Sequence, residues 1–193
     1  MKIAIIKYNA GNIRSVDFAL RRMGLEAEIT DDHEKIRSAD KVIFPGVGEA
    51  ASTMKHLTAN GLDNLLRELK QPVLGICLGQ QLMCRQSEEG DASCIGIFDE
   101  PVLRFPPGEK VPHMGWNQLT DPAGDLFKGV EPGAYVYFVH SYYVPLCAET
   151  VAGCEYITGF SAALHRDNFY ATQFHPEKSG PTGQKILENF IAL

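Results

Sequence analysis

The sequence predicts an α/β fold, a single domain over residues 1–193 with a central, mostly parallel sheet flanked by helices and an antiparallel extension in the C-terminal half. Three observations predict it. Short apolar runs alternate with helical patterns through the first half, which is the signature of βαβ units. The runs are apolar throughout, as strands covered on both faces are. From about residue 94 the pattern breaks into short strand-like pieces separated by Gly and Pro, which reads as hairpins.

The elements follow in chain order. Residues 2–6, KIAII, form a buried strand, and residues 8–12, YNAGN, a Gly-containing turn. Asn12 is placed to N-cap a helix that carries Ile13, Val16, Leu20 and Met23 on one face, with Gly24 closing it. A strand is expected over Leu25–Ile29, and another over Asp40–Phe44, stopped by Pro45-Gly46. Helices follow around residues 49–60 and 62–70. The run PVLGIC, residues 72–77, is a buried strand that passes straight into a helix carrying Leu78, Gln81, Leu82 and Arg85. VLRF, VPHMGWNQL, AYVYFVHSYYV, TVAGCEY, SAALHR and NFYATQF supply the later strands. A last helix spans about residues 179–193, with Pro181 in its first turn and Ile186, Leu187, Phe190 and Ile191 on its apolar face.

Composition removes several function classes. Of 193 residues, 45% are hydrophobic and 22% charged, enough to build a core and too apolar for a disordered chain. A net charge of −6 gives no basic footprint for nucleic acid. No apolar run approaches the roughly 18 residues of a membrane span. The opening MKIAIIKYNAGN lacks the apolar core of a signal peptide, so a cytoplasmic location is expected. The five cysteines are odd in number, irregularly spaced and without a CxxC pair. That argues for free thiols in a reducing compartment, and against a disulfide framework, a zinc ribbon or a thioredoxin-type pair. No cofactor or metal is called for.

Gly75-Ile76-Cys77-Leu78-Gly79 has the form of a nucleophile elbow, set where a buried strand meets a helix. A side chain at the middle of so tight a turn is strained and projects outward. Flanking glycines are required because a Cβ there would strike the neighbouring strand and helix. The following helix aims its backbone N–H groups at the sulfur, and the Leu78 N–H can donate to a developing oxyanion. Read alone, Cys77 is equally a small buried hydrophobe. Cys84, seven residues on, returns to a similar face and reads as core. A nucleophilic thiol needs a base and the base an orienting group. Among six histidines, His33, His56 and His165 read as surface residues, and His113 and His140 as satisfied core or interface groups. His175 is followed by Pro176 and Glu177, a spacing that sets a carboxylate beside the imidazole.

These residues resemble the two signatures of the class I glutamine amidotransferases: GICLGQQ with Cys77, and QFHPEKS with His175 and Glu177. The segment FPGVG, residues 44–48, stands where that family has its oxyanion strand. The resemblance covers the whole chain and implies a glutaminase with a Cys77–His175–Glu177 triad. It implies an oxyanion hole from the N–H groups of Val47 and Leu78. It further implies recognition of L-glutamine by Gly46, Gly48, Gln81, Ser141 and Tyr142. The two glycines would make the 46–48 turn soft enough for one peptide flip to bring the Val47 N–H into or out of the site.

Within the family, PGVG, PHMGWN (112–117), YFVHSY (137–142) and YNAGN resemble the glutaminase subunits of imidazole glycerol phosphate synthases. That branch implies a partner, a (β/α)8-barrel cyclase subunit in a 1:1 heterodimer, with Asn12, Trp116, Asn117, Tyr137 and Lys178 at the interface. Gln80 is the one visible departure and touches nothing catalytic. Three other readings stand beside this one: the glutaminase of another synthase, an inactive regulatory domain of the same fold, and a cysteine hydrolase on the α/β-hydrolase scaffold. The last expects its acid well before the histidine, whereas Glu177 follows His175 at once.

Overall fold

The computed structural model describes residues 1–8 and 12–193; positions 9–11, the middle of the expected YNAGN turn, lie outside the described residues. The first half builds a βα series. It comprises β1 (Ile3–Ile6), α1 (Ile13–Arg22), β2 (Ala27–Thr30), α2 (His33–Arg37), β3 (Lys41–Gly46), α3 (Ala50–Ala59), α4 (Leu62–Glu68), β4 (Val73–Cys77) and α5 (Leu78–Met83). Then come the short strands β5 (Gln86–Ser87), β6 (Ala92–Ser93) and β7 (Pro101–Arg104). The ribbon strands β8 (His113–Gln118) and β9 (Tyr135–His140) follow, with β10 (Tyr142–Tyr143) directly after. The chain ends with β11 (Thr150–Tyr156), β12 (Thr158–Arg166), β13 (Phe169–Thr172) and α6 (Gly180–Ala192).

Seven strands form the main sheet in the order β11-β12-β13-β4-β3-β1-β2. Five of them, from β13 to β2, run parallel, and β12 and β11 add antiparallel strands at one edge. Because side chains alternate along a strand, the sheet feeds two cores. Ala4, Ile6, Val42, Phe44 and Val73 meet the leucines of α4 and α5 on one face. Ile3, Ile5, Ile43, Leu74 and Ile76 meet Val16 and Leu20 of α1 and Ile186, Leu187 and Phe190 of α6 on the other. Burial on both sides explains why these strands read as unbroken apolar runs. No helix among the described residues is long and apolar enough to cross a membrane.

Three expectations need correction. Pro45 and Gly46 do not stop β3; they pair with Ile76 and Cys77 of β4. The pairing of β1 with β3 ends at Ile43, so the N–H that Pro45 lacks has no ladder partner on that side to lose. α5 ends at Met83, which leaves Cys84 and Arg85 beyond it, although Cys84 is fully buried as expected of a core thiol. Finally, NFYATQF is more than one side of a hairpin. β13 pairs antiparallel with β12 but parallel with β4, and so brings the C-terminal segment to the sheet's centre. β8 and β9 stand apart as a two-stranded ribbon, and β10-β7-β5-β6 form a separate small sheet.

Candidate active site

β3, β4 and β13 lie side by side and all point the same way, so their carboxyl ends deliver the 46–48 turn, Cys77 and His175 to one end of the sheet. Cys77 sits between β4 and α5 at φ 54° and ψ −107°, a conformation that costs a non-glycine residue of order 1–3 kcal/mol. The flanking glycines hold it there. A Cβ on Gly75 would lie 2.8 Å from Met83 Sδ and 3.0 Å from the Gly79 backbone, and one on Gly79 would overlap the Phe44 carbonyl oxygen. Gly46 is needed for space too, since its Cβ would run into the Tyr8 hydroxyl and lie 2.9 Å from Leu78 Cβ. Gly46 is therefore packing under the elbow and does not line the cavity above it. Of the two turn glycines, Gly48 alone takes a positive φ, at 139°.

His175 and Glu177 form a buried pair, Nδ1 to Oε1 2.8 Å, with neither side chain exposed. Nδ1–H donating to the carboxylate fixes the tautomer and leaves Nε2 toward the sulfur. Nε2 is buried and has no hydrogen-bond partner among the described residues. The Cys77 Sγ instead contacts Val139 O at 3.8 Å and Gln173 Nε2 at 3.7 Å. Burial alone would lower the His175 pKa, but the adjoining Cys77 and the Glu177 carboxylate outweigh it and push it up to about 10. An imidazolium held this way can deliver a proton to a leaving amine. The loop carrying it is tethered to the ribbon. His175 N–H donates to Tyr137 O at 2.9 Å, Ser179 Oγ donates to His175 O at 2.6 Å, and Tyr137 N–H donates to Ser179 Oγ at 2.9 Å.

A cavity of about 300 Å³ opens over Cys77, within the size range of small-ligand sites. The expected Val47, Gly48, Leu78, Gln81, Ser141 and Tyr142 all line it, joined by Glu89, Pro112, Val139 and His140. Gln81 lines the cavity, and its Nε2 donates to Tyr142 O and Gln173 Oε1, 3.0 Å each, which holds its amide in place. Three larger grooves, about 570 Å³ along β2, about 480 Å³ between α3 and residues 90–93, and about 360 Å³ between α1 and α6, are lined by no cysteine and no histidine among the described residues.

The expected interface residues divide. Trp116 is 55% exposed and stacks edge-on with Tyr137, ring centroids 5.9 Å apart, and Lys178 is exposed. Asn12 and Asn117 turn inward. Asn12 Nδ2 lies 2.5 Å from Glu177 Oε1 and 3.3 Å from His175 Nδ1, so its amide braces the triad and does not cap α1. Asn117 Nδ2 donates to Glu155 O at 2.9 Å and reaches His113 Nε2 at 3.3 Å. Gln80, the sequence departure, is buried and donates to Ser161 O at 3.2 Å. Glu100, Cys147 and Glu149 gather with ligand atoms within 4.8 Å of one another; none of them lines the cavity, and no sequence spacing announces them.

Sequence reasoning missed four supports: Tyr8, Glu89, Gln173 and Ser179. Tyr8 donates its hydroxyl to Pro45 O beneath the elbow, and burial together with the nearby Cys77 charge raises its pKa. His113 and His140 are core groups joined in one direction. Asn117 donates to His113 Nε2, His113 Nδ1 meets His140 Nε2 at 3.0 Å, and His140 Nδ1 donates to Tyr142 O at 2.7 Å. Burial lowers their pKa values to about 4 and about 3, so both are neutral links. Unfolded, each would bind a proton near its ordinary pKa of about 6.5. Stability therefore falls as pH drops through the window from about 6.5 toward 4. The raised His175 contributes an opposite slope near pH 6.5 and none from about a unit below it, where it is protonated in both states. Urea titrations between about pH 5.5 and pH 4.5 should show this loss. His113→Phe should make the slope shallower by up to one proton, about 1.4 kcal/mol per pH unit; an unchanged slope contradicts the assignment.

The family model for "Glutamine amidotransferase class-I" matches residues 4–193. Imidazole glycerol phosphate synthase subunit HisH of Bacteroides fragilis is 63% identical over 196 residues, with all of each chain covered. The subunit of the same name from Escherichia coli is 44% identical, again over both full lengths. Among solved structures, PurLQS from Thermotoga maritima matches with a TM-score of 0.75 at 17% identity, covering 99% of this chain and 97% of that one. A crystal structure of a glutamine amidotransferase matches at 0.76 and 18%, covering 98% and 97%. The two solved structures speak to the fold alone; the family match over nearly every residue decides the assignment, and the chain belongs to the class I glutamine amidotransferases.

Proposed function

We propose that this chain is the glutaminase subunit of an imidazole glycerol phosphate synthase, serving histidine biosynthesis. The observation that carries the reading is the strained Cys77 beside a buried His175–Glu177 pair at the floor of a cavity sized for an amino acid. Full-length relatives of that name support the choice of synthase.

In this reading Cys77 Sγ attacks the side-chain carboxamide carbon of L-glutamine. His175, entering as the imidazolium, delivers its proton to the leaving nitrogen, which departs as ammonia. Water then attacks the γ-glutamyl thioester, His175 takes its proton, and glutamate leaves with the thiolate restored. Glu177, braced by Asn12, holds the ring. The tetrahedral oxyanion is bound by the N–H groups of Leu78 and Val47, each worth roughly 3–4 kcal/mol of barrier. Glu89 is the one carboxylate on the cavity wall and suits the α-ammonium of the substrate. The Val47 N–H belongs to the Gly46–Val47 peptide, and glycine at position 46 lowers the backbone cost of flipping it, so that a partner can complete the oxyanion hole.

The partner is a (β/α)8-barrel cyclase subunit in a 1:1 heterodimer, docking where Trp116, Tyr137 and Lys178 are presented next to the triad loop. No metal or organic cofactor enters this chemistry. Glutamate release should be slow for the chain alone and rise on adding the cyclase subunit. Equal rates with and without it, or stimulation only by a chorismate-using partner, would contradict the assignment.

A further inference from the structure

Gln173 is fully buried between β13 and His175, and no step above uses it. The orientation of its amide is fixed by its neighbours. Tyr142 O, a carbonyl, only accepts, so the Gln81 atom 3.0 Å away is the amide nitrogen. That same nitrogen lies 3.0 Å from Gln173, so the Gln173 atom facing it is the oxygen. The other end of Gln173 is then its NH2 group, and it lies 3.7 Å from Cys77 Sγ.

The sulfur's two hydrogen-bond partners among the described residues suit opposite protonation states. Val139 O, 3.8 Å away, accepts from the thiol only. The Gln173 NH2 donates, and a donor favours the thiolate. We propose that Gln173 is a positioning residue for the hydrolysis of glutamine: its amide nitrogen holds the attacking thiolate, while its oxygen anchors Gln81 on the cavity wall. This rests on Cys77 being the nucleophile of the proposed glutaminase. It ties the aim of the nucleophile to the wall that receives the substrate, through one side chain with no freedom to reverse.

Two substitutions separate this role from simple packing. Gln173→Met keeps the volume and removes both polar ends. Gln173→Glu keeps an acceptor for Gln81 but cannot donate to the thiolate. The full chain is treated with iodoacetamide at one fixed pH, and modification of Cys77 is followed by peptide mass spectrometry. Glutamine kinetics are measured in the complex with the cyclase subunit. Both variants should alkylate Cys77 about tenfold more slowly and lose about tenfold in kcat; KM should change by no more than about twofold in Gln173→Glu, which keeps the anchor for Gln81, and should rise further in Gln173→Met, which removes it. Wild-type alkylation in either variant overturns the proposal. So does a Gln173→Glu protein with wild-type kcat, which would leave Gln173 only a prop for Gln81. If Gln173→Met does not fold, Gln173→Glu decides alone. Alkylation is read without glutamine. A wild-type chain that never turns over glutamine, yet shows the Gln173 effect on Cys77, would count against the glutaminase reading and leave this one standing.

Discussion

Cys77→Ala abolishes glutamate release, lowering kcat by at least about 10³-fold in the complex with the cyclase subunit, while the folded structure persists. The magnitude follows from the geometry. Removing the sulfur removes covalent catalysis, and what remains is binding and the oxyanion donors. The fold survives because alanine removes one atom from a position whose strain is imposed by its neighbours, and the smaller side chain does nothing to worsen it. The measurement is glutamine turnover together with the urea midpoint. An active Cys77→Ala protein would remove the mechanism altogether.

Gly79→Ala should be the most destabilising of single-methyl additions at the elbow, costing about 3 kcal/mol or more and taking activity with it. The added Cβ would overlap the Phe44 carbonyl oxygen, which belongs to β3 and cannot swing aside as a side chain can. Relief requires α5 to lift from the sheet, and Cys77 is the residue immediately before that helix. Gly24→Ala is the control. Gly24 takes φ +75° with nothing near its notional Cβ, so alanine there meets backbone strain alone, about 1–2 kcal/mol. Equal losses at the two sites, read from urea unfolding, would mean that the elbow is not closed by contact.

The parts of this molecule legible in the sequence are those written locally. Buried strands such as IAII and VLGIC announce themselves because sheet faces covered on both sides demand apolar residues at every position. The elbow is legible because two glycines and the strand-to-helix change all fall within five residues. His175 and Glu177 are legible because they are two residues apart. What was illegible depends on partners far along the chain. Asn12 reaches His175 and Glu177, Gln173 lies between Gln81 and Cys77, and Tyr8 lies under Pro45; no periodicity encodes such meetings. Strands of two residues, like β5, β6 and β10, carry no period to detect. The continuation of β3 through Pro45-Gly46 was hidden because a proline ordinarily ends a strand, and only the sheet order shows that its neighbour on one side has already stopped.

The central claim is that, of five cysteines, Cys77 alone is the nucleophile, and a glutamine analogue bearing a chloroketone in place of the carboxamide tests it directly. The other four thiols are held protonated chiefly by burial, which pushes Cys94 up to about 11 and Cys154 up to about 12 and raises Cys84 and Cys147 as well. The account predicts one label per chain, located on Cys77 by peptide mass spectrometry, gained in step with loss of activity and blocked by glutamine. Inactivation with the label on another cysteine, or with Cys77 unmodified, would contradict it.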